Sequence, residues 1–134
     1  MKTMKTIFIL ILMAFCATAY CQYPNPASVY ADKMGLKHDN WRDSHNNQFG
    51  RVIFPDGTTG DEWDFYRGRI GKKYSYCVKK GYEMTTDTIQ HKGWVSIEAV
   101  CVKKPKGDSP GIKIPMLELM EQNGDTLIRK TGRK

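Results

Sequence analysis

Two histidines and two carboxylates, His38, Asp39, Asp43 and His45, fall in one short stretch. They are donor types that a divalent cation takes. No helical or strand spacing fixes them, and His91 is remote, so the stretch reads as a polar surface loop. A second group, Asp56, Asp61, Glu62 and Asp64, offers paired carboxylates for acid–base work. Here too a plainer role is at hand. Asp56 is what the turn Pro55-Asp56-Gly57 wants, and Asp61 and Glu62 are what a helix start wants. Arg67-Gly68-Arg69 has the charge to clamp an anion, but Asp64 stands three residues before Arg67 and is its expected ion-pair partner. Ser28 or Ser44 with a histidine makes a weak Ser–His–Asp set, and the chain carries no Gly-x-Gly-x-x-Gly and no phosphate loop. No catalytic residue, metal or cofactor is expected, and the protein reads as a non-enzyme.

The elements that hold these residues follow from local signals. Asn25 caps and Pro26 opens a helix that stops at Gly35. Strands are expected over 36–41 and 49–54, with the polar 42–48 segment as their hairpin loop. A short helix follows over 61–67, with Gly68 past its end. The pattern then recurs: a helix over 73–80 stopped by Gly81, strands over 82–89 and 94–103, a Pro/Gly/Lys loop over 104–111, and a helix over 115–122. Ala31 stands before Gly35 as Cys77 stands before Gly81, and Val52 and Cys101 occupy corresponding strands. The fold expected is α+β: two helix–strand–strand–helix units, 22–71 and 72–127, with antiparallel β-hairpins packed by short helices and a period of about 48 residues. A basic tail, 128–134, closes the chain.

The chain has 134 residues and a formal net charge of +7, with 40 % hydrophobic and 26 % charged residues. This is one domain's worth, or two very small units, and excludes a coiled coil, a collagen and a polytopic membrane protein. Residues 1–21 have the layout of a secretory leader: Lys2 and Lys5, an apolar run over 7–15, then small residues. Cleavage is expected after Ala19 or Cys21, giving a secreted or periplasmic protein with no transmembrane segment in its mature part. The second site is preferred; removing residues 1–21 takes Lys2 and Lys5, lowers the charge from +7 to +5 and leaves Cys77 and Cys101. An even pair in an exported small domain is most simply a disulfide, worth roughly 3–3.5 kcal/mol for a loop of this size.

The lysines at 72, 73, 79, 80, 103, 104 and 106 interleave with Tyr74, Tyr76 and Tyr82. Export argues against nucleic acid and favours an anionic envelope component or a protein as partner. Trp41, Trp63 and Trp94 read as core or strand-face residues.

Three strings then add up: Asn25-Pro26-Ala27-Ser28, Phe54-Pro55-Asp56-Gly57-Thr58, and Glu62-Trp63 followed by Phe65-Tyr66-Arg67-Gly68. Residues 23–70 with these strings resemble the domain of unknown function 333, a small exported bacterial and archaeal domain often labelled a hemolysin; 72–127 resembles a degenerate second copy. The resemblance places family cysteines where this chain has Ala31, Val52, Gly60 and Ile70. It therefore implies an apolar contact between Ala31 and Val52, with Trp63, Phe65 and Phe54 adding core, and a bridge between Cys77 and Cys101. The function expected is binding or interaction in the cell envelope or outside the cell. The alternatives are a hydrolase inhibitor acting through the 42–48 or 104–111 loop, and a membrane-active toxin.

Overall fold

The computed structural model describes residues 24–105, 107 and 111–127. The expected leader at 1–21, the tail at 128–134 and part of the 104–111 loop lie outside the described residues. Helix α1 (Pro26–Lys33) leads into strands β1 (Lys37–Arg42), β2 (Gln48–Ile53) and β3 (Thr59–Asp61), then α2 (Glu62–Tyr66). A 3-10 turn (Lys72–Tyr74) and α3 (Tyr76–Lys79) lead into β4 (Glu83–His91), β5 (Trp94–Lys103) and β6 (Ile112–Pro115), then α4 (Met116–Gln122). The fold is α+β, with two small antiparallel three-stranded sheets ordered β1-β2-β3 and β4-β5-β6.

Each sheet has one strand more than the hairpin expected. Thr59–Asp61 and Ile112–Pro115 are short and sit directly before a helix, so turn and helix-start signals mask them in the sequence. The helix expected over 73–80 is broken in two. Ser75 takes an extended backbone and its hydroxyl accepts from the Val78 amide, starting α3 afresh.

Helices α1 to α4 end alike. The amide of Leu36 returns to the Ala31 carbonyl at 3.0 Å, and that of Tyr82 to Cys77 at 2.9 Å. Arg69 returns to Asp64 and Asp125 to Met120, each at 2.8 Å. This wrap-around needs a left-handed residue between helix and exit, and Gly35 and Gly81 supply it at φ 71° and 79°. The two units therefore enter their sheets in the same way. Val52 pairs with His38, and Cys101 pairs with Met84, each partner standing three residues past its glycine.

One hydrophobic cluster runs through both units. It joins Tyr30, Ala31, Val52, Phe54 and Phe65 to Tyr76, Cys77, Met84, Cys101 and Met120. Cys77 and Cys101 form a disulfide with Cα atoms 5.1 Å apart. Ala31 and Val52, at the corresponding places, are both fully buried. Tyr30 links the units: its ring lies 5.0 Å from Phe65, and its hydroxyl accepts from the Tyr76 amide at 3.0 Å. Burial pushes its phenol well above the ordinary range. Among the described residues no helix is long and apolar enough to cross a membrane.

Candidate functional site

The sequence-marked residues separate into three places. The first is a buried carboxylate. Asp61 caps α2, its side chain accepting from the Trp63 and Asp64 amides at 2.8 and 3.1 Å. That role was expected of Glu62 as well, but Glu62 turns inward and is 2 % exposed. Its Oε1 accepts from Asn25 Nδ2 at 2.5 Å and from Ser28 Oγ at 2.8 Å. The Oδ1 of the same Asn25 caps α1 by accepting from the Ala27 amide. The carboxylate lies over Gly50, in the space a Cβ there would fill. His38 Nδ1 stands 3.8 Å from Oε2, and His38 Nε2 stands 3.0 Å from Asp32. Asn25, Ser28 and Glu62 thus form a clamp that ties the start of α1 to the start of α2. Ser28 donates to a carboxylate and not to an imidazole, so the clamp lacks the geometry of an activated nucleophile.

The second place is the turn. Asp56 accepts from the Thr58 amide and hydroxyl and from Lys73 Nζ at 2.8 Å. Those hydrogen bonds, with Lys73 foremost, hold its carboxyl well below the usual range. Pro55 and Gly57 complete the turn, while Phe54 is 5 % exposed and packs edge-on against Phe65. A broad depression nearby, about 570 Å³, is lined by Asp56, Asp64, Lys73 and Tyr74. Asp56 is already committed to Lys73 within it.

The third place is a groove of about 270 Å³ where α2, α4 and β5 meet. Trp63, Tyr66 and Arg67 come from α2 and its end, and Trp94, Ser96, Ile97, Glu98 and Ala99 from β5. Met116 and Leu117 come from α4. Two expectations are corrected here. Arg67 does not pair with Asp64. Asp64 is held by Arg69 at 3.0 Å, and the Arg67 guanidinium lies over the Trp63 ring, 5.2 Å from its centroid. The return of the chain after Gly68 carries Arg69 back over Asp64 and turns Arg67 toward the aromatic side. Trp63 is accordingly a half-buried wall of the groove and not core. Burial raises the Tyr66 phenol, Glu98 raises it further and Arg67 lowers it, so both charges act on the groove.

At the groove's far end His91 stacks on Trp94, ring centroids 3.8 Å apart. His91 Nε2 lies 2.8 Å from Ser96 Oγ and 3.0 Å from Glu98 Oε1, and Ser96 also donates to Glu98. One ring nitrogen meets both partners, so no proton path runs through the imidazole as a Ser–His–acid relay requires. This set was missed in the sequence. Its only signal is the strand alternation that puts Trp94, Ser96 and Glu98 on one face, opposite His91 across the hairpin.

The His38/Asp39/Asp43/His45 stretch is dispersed. Asp39 is held by Arg51 at 2.7 Å on the face opposite His38. Asp43 folds the loop on itself, accepting from the His45 and Asn47 amides and the Asn47 side chain. Ser44 Oγ and His45 Nδ1 are 3.4 Å apart at the surface. Several lysines of the basic stretch are engaged: Lys73 with Asp56, Lys80 with Asp125, Lys104 with Glu83. Residues 107–111 read Gly-Asp-Ser-Pro-Gly. A nucleophile elbow of that pattern needs a strand before it and a helix after it. Here it joins β5 to β6, and Ser109 lies outside the described residues.

A three-stranded antiparallel sheet, flanked by two glycine-stopped helices that share one buried carboxylate, defines a small α+β domain. Residues 22–69 match the model of a domain of unknown function (DUF333). An uncharacterized protein of Archaeoglobus fulgidus is 39 % identical over 59 residues. The match covers 44 % of this chain and 27 % of that relative, so the chain spans about a quarter of the relative's length. Neither match carries the name hemolysin, and all of 72–127 lies beyond the family match. No solved structure matches.

Proposed function

We propose that the protein is a non-enzymatic binding domain that works in the cell envelope or outside the cell, and that the α2/α4/β5 groove is its recognition surface. The observation that carries this is the division of labour among the family-motif residues. Asn25, Ser28 and Glu62 are spent on the clamp and Asp56 on the turn. Trp63 and Arg67 remain, and both face the groove beside Trp94. Aromatic walls with a few convergent polar groups are the usual make-up of a ligand site. Export is supported by the leader-like 1–21 segment and by the Cys77–Cys101 bond, which suits an oxidising compartment.

The test is retention of material from the producing cell's envelope fraction on immobilised, oxidised protein of residues 22–134. The wild-type protein retains a partner, and Trp63→Ala with Trp94→Ala loses it while keeping its circular dichroism spectrum. Equal retention by both proteins contradicts the groove as the recognition surface. Leakage of dye from anionic vesicles at micromolar protein contradicts the binding reading in favour of the membrane-active one.

A further inference from the structure

Strand β6 pairs with β5 only at Val100, Cys101, Val102 and Lys103. At Pro115 the chain leaves the sheet and turns into α4. From Trp94 to Ala99, β5 is therefore paired with β4 on one side and with no strand on the other. Among the described residues no loop backbone bonds to that stretch either. The groove runs along this open edge, as its lining shows. Side chains alternate between the two faces of a strand, yet the consecutive residues Ser96, Ile97, Glu98 and Ala99 all border it. Only a groove wrapped around the strand's edge meets four in a row.

The edge also lacks the usual guards. Residues 94–99 contain no proline and no lysine, and the one charge, Glu98, is drawn onto the sheet face by His91 and Ser96. Trp94, Ile97 and Leu117 are 59 %, 43 % and 41 % exposed. Arg67 has no carboxylate partner among the described residues, and its guanidinium carbon sits over the Trp63 ring at the groove wall, 5.2 Å from the centroid. Unpaired backbone, apolar recesses on either side and one uncommitted cation describe a site for a strand.

We propose that the groove takes an extended peptide of a partner protein, which pairs with β5 between Trp94 and Ala99 in the place β6 vacates. Its apolar side chains enter the Trp63/Trp94/Leu117 recess and a carboxylate meets Arg67. This rests on the groove reading above. A second copy of the chain is a poorer occupant: it would bring another unpaired Arg67 to the same seam, on a protein of net charge +7 before leader removal.

The test selects phage-displayed random octapeptides on the oxidised 22–134 protein. Enriched peptides alternate apolar residues and include an acidic one. A synthetic copy slows amide hydrogen exchange within 94–99 and leaves the outer amides of β4 unchanged. N-methylation of alternate peptide amides removes two or more backbone bonds and weakens binding about tenfold or more. Arg67→Gln weakens it about fivefold or more, by loss of a charged hydrogen bond. A peptide that binds equally well when N-methylated overturns strand pairing and leaves the groove as a side-chain site. Enrichment no greater than on the Trp63→Ala/Trp94→Ala protein overturns the proposal, as does protection of 94–99 that depends on protein concentration alone.

Discussion

At Glu62 one carboxylate oxygen receives Asn25 and Ser28, and the other faces His38 across 3.8 Å. Removing it strands two donors and opens a space over Gly50, so Glu62→Ala should lower the unfolding free energy by about 2–4 kcal/mol in urea denaturation. Gly50→Ala should be costly in the wild-type protein and cheaper in the Glu62→Ala background, because the new Cβ takes the carboxylate's space. Additive effects would contradict the clamp. Asp56 gives a pH signature. Its carboxyl is held low in the folded protein by Lys73 and Thr58, so its contribution is present above the unfolded value of roughly 3.9 and is lost as pH falls through the folded value. Asp56→Asn should therefore destabilise at pH 6 and progressively less as pH falls below about 4, measured by thermal melts. At this scale the sequence was legible where a residue acts locally: Asp56 in its turn, Asp61 as a cap, Asn25 at a helix start. It was illegible where partners are distant. Glu62 looked like a helix-start acid because the residues that bury it lie at Asn25, Ser28 and Gly50. Arg67 looked paired because sequence spacing does not report how the chain returns after Gly68.

The elements followed from their punctuation. Glycine stops and the Asn25-Pro26 start gave the helix ends, and alternation gave β5 to the residue. The third strands were hidden because three- and four-residue strands are fixed by pairing with Val52 and Cys101 rather than by their own pattern. The correspondence between the units makes a prediction at this level. Cys77 and Cys101 are bonded where the other unit buries Ala31 and Val52. Reducing the bond should cost roughly 3 kcal/mol, from the entropy returned to a loop of this size. The double variant Ala31→Cys/Val52→Cys should form a second bridge on oxidation, seen as a mass loss of about 2 Da and a higher melting temperature. Two free thiols in that variant would show that the units differ in geometry. The structure also places Ile70 against Gly60, the other pair of positions the family resemblance marked.

Over the whole molecule, one core joins the two units through Tyr30, and two links at the surface repeat the tie. Lys79 Nζ donates to the Met34 carbonyl at 2.7 Å, and Lys33 Nζ to that of Thr126 at 2.7 Å. The groove exists only because α2 from the first unit meets β5 and α4 from the second. No reading of either half alone could have assembled it. The competing surface is the Asp43–Asn47 loop, cross-braced by its own hydrogen bonds, on which the hydrolase-inhibitor alternative depends. The two are separated most directly by photocrosslinking. A benzoylphenylalanine is placed at Leu117, on the groove rim, or at His45, on the loop, and each oxidised 22–134 protein is irradiated in the envelope fraction. Groove recognition predicts a discrete crosslinked species from position 117 and none from position 45. A species formed from position 45 alone would contradict it.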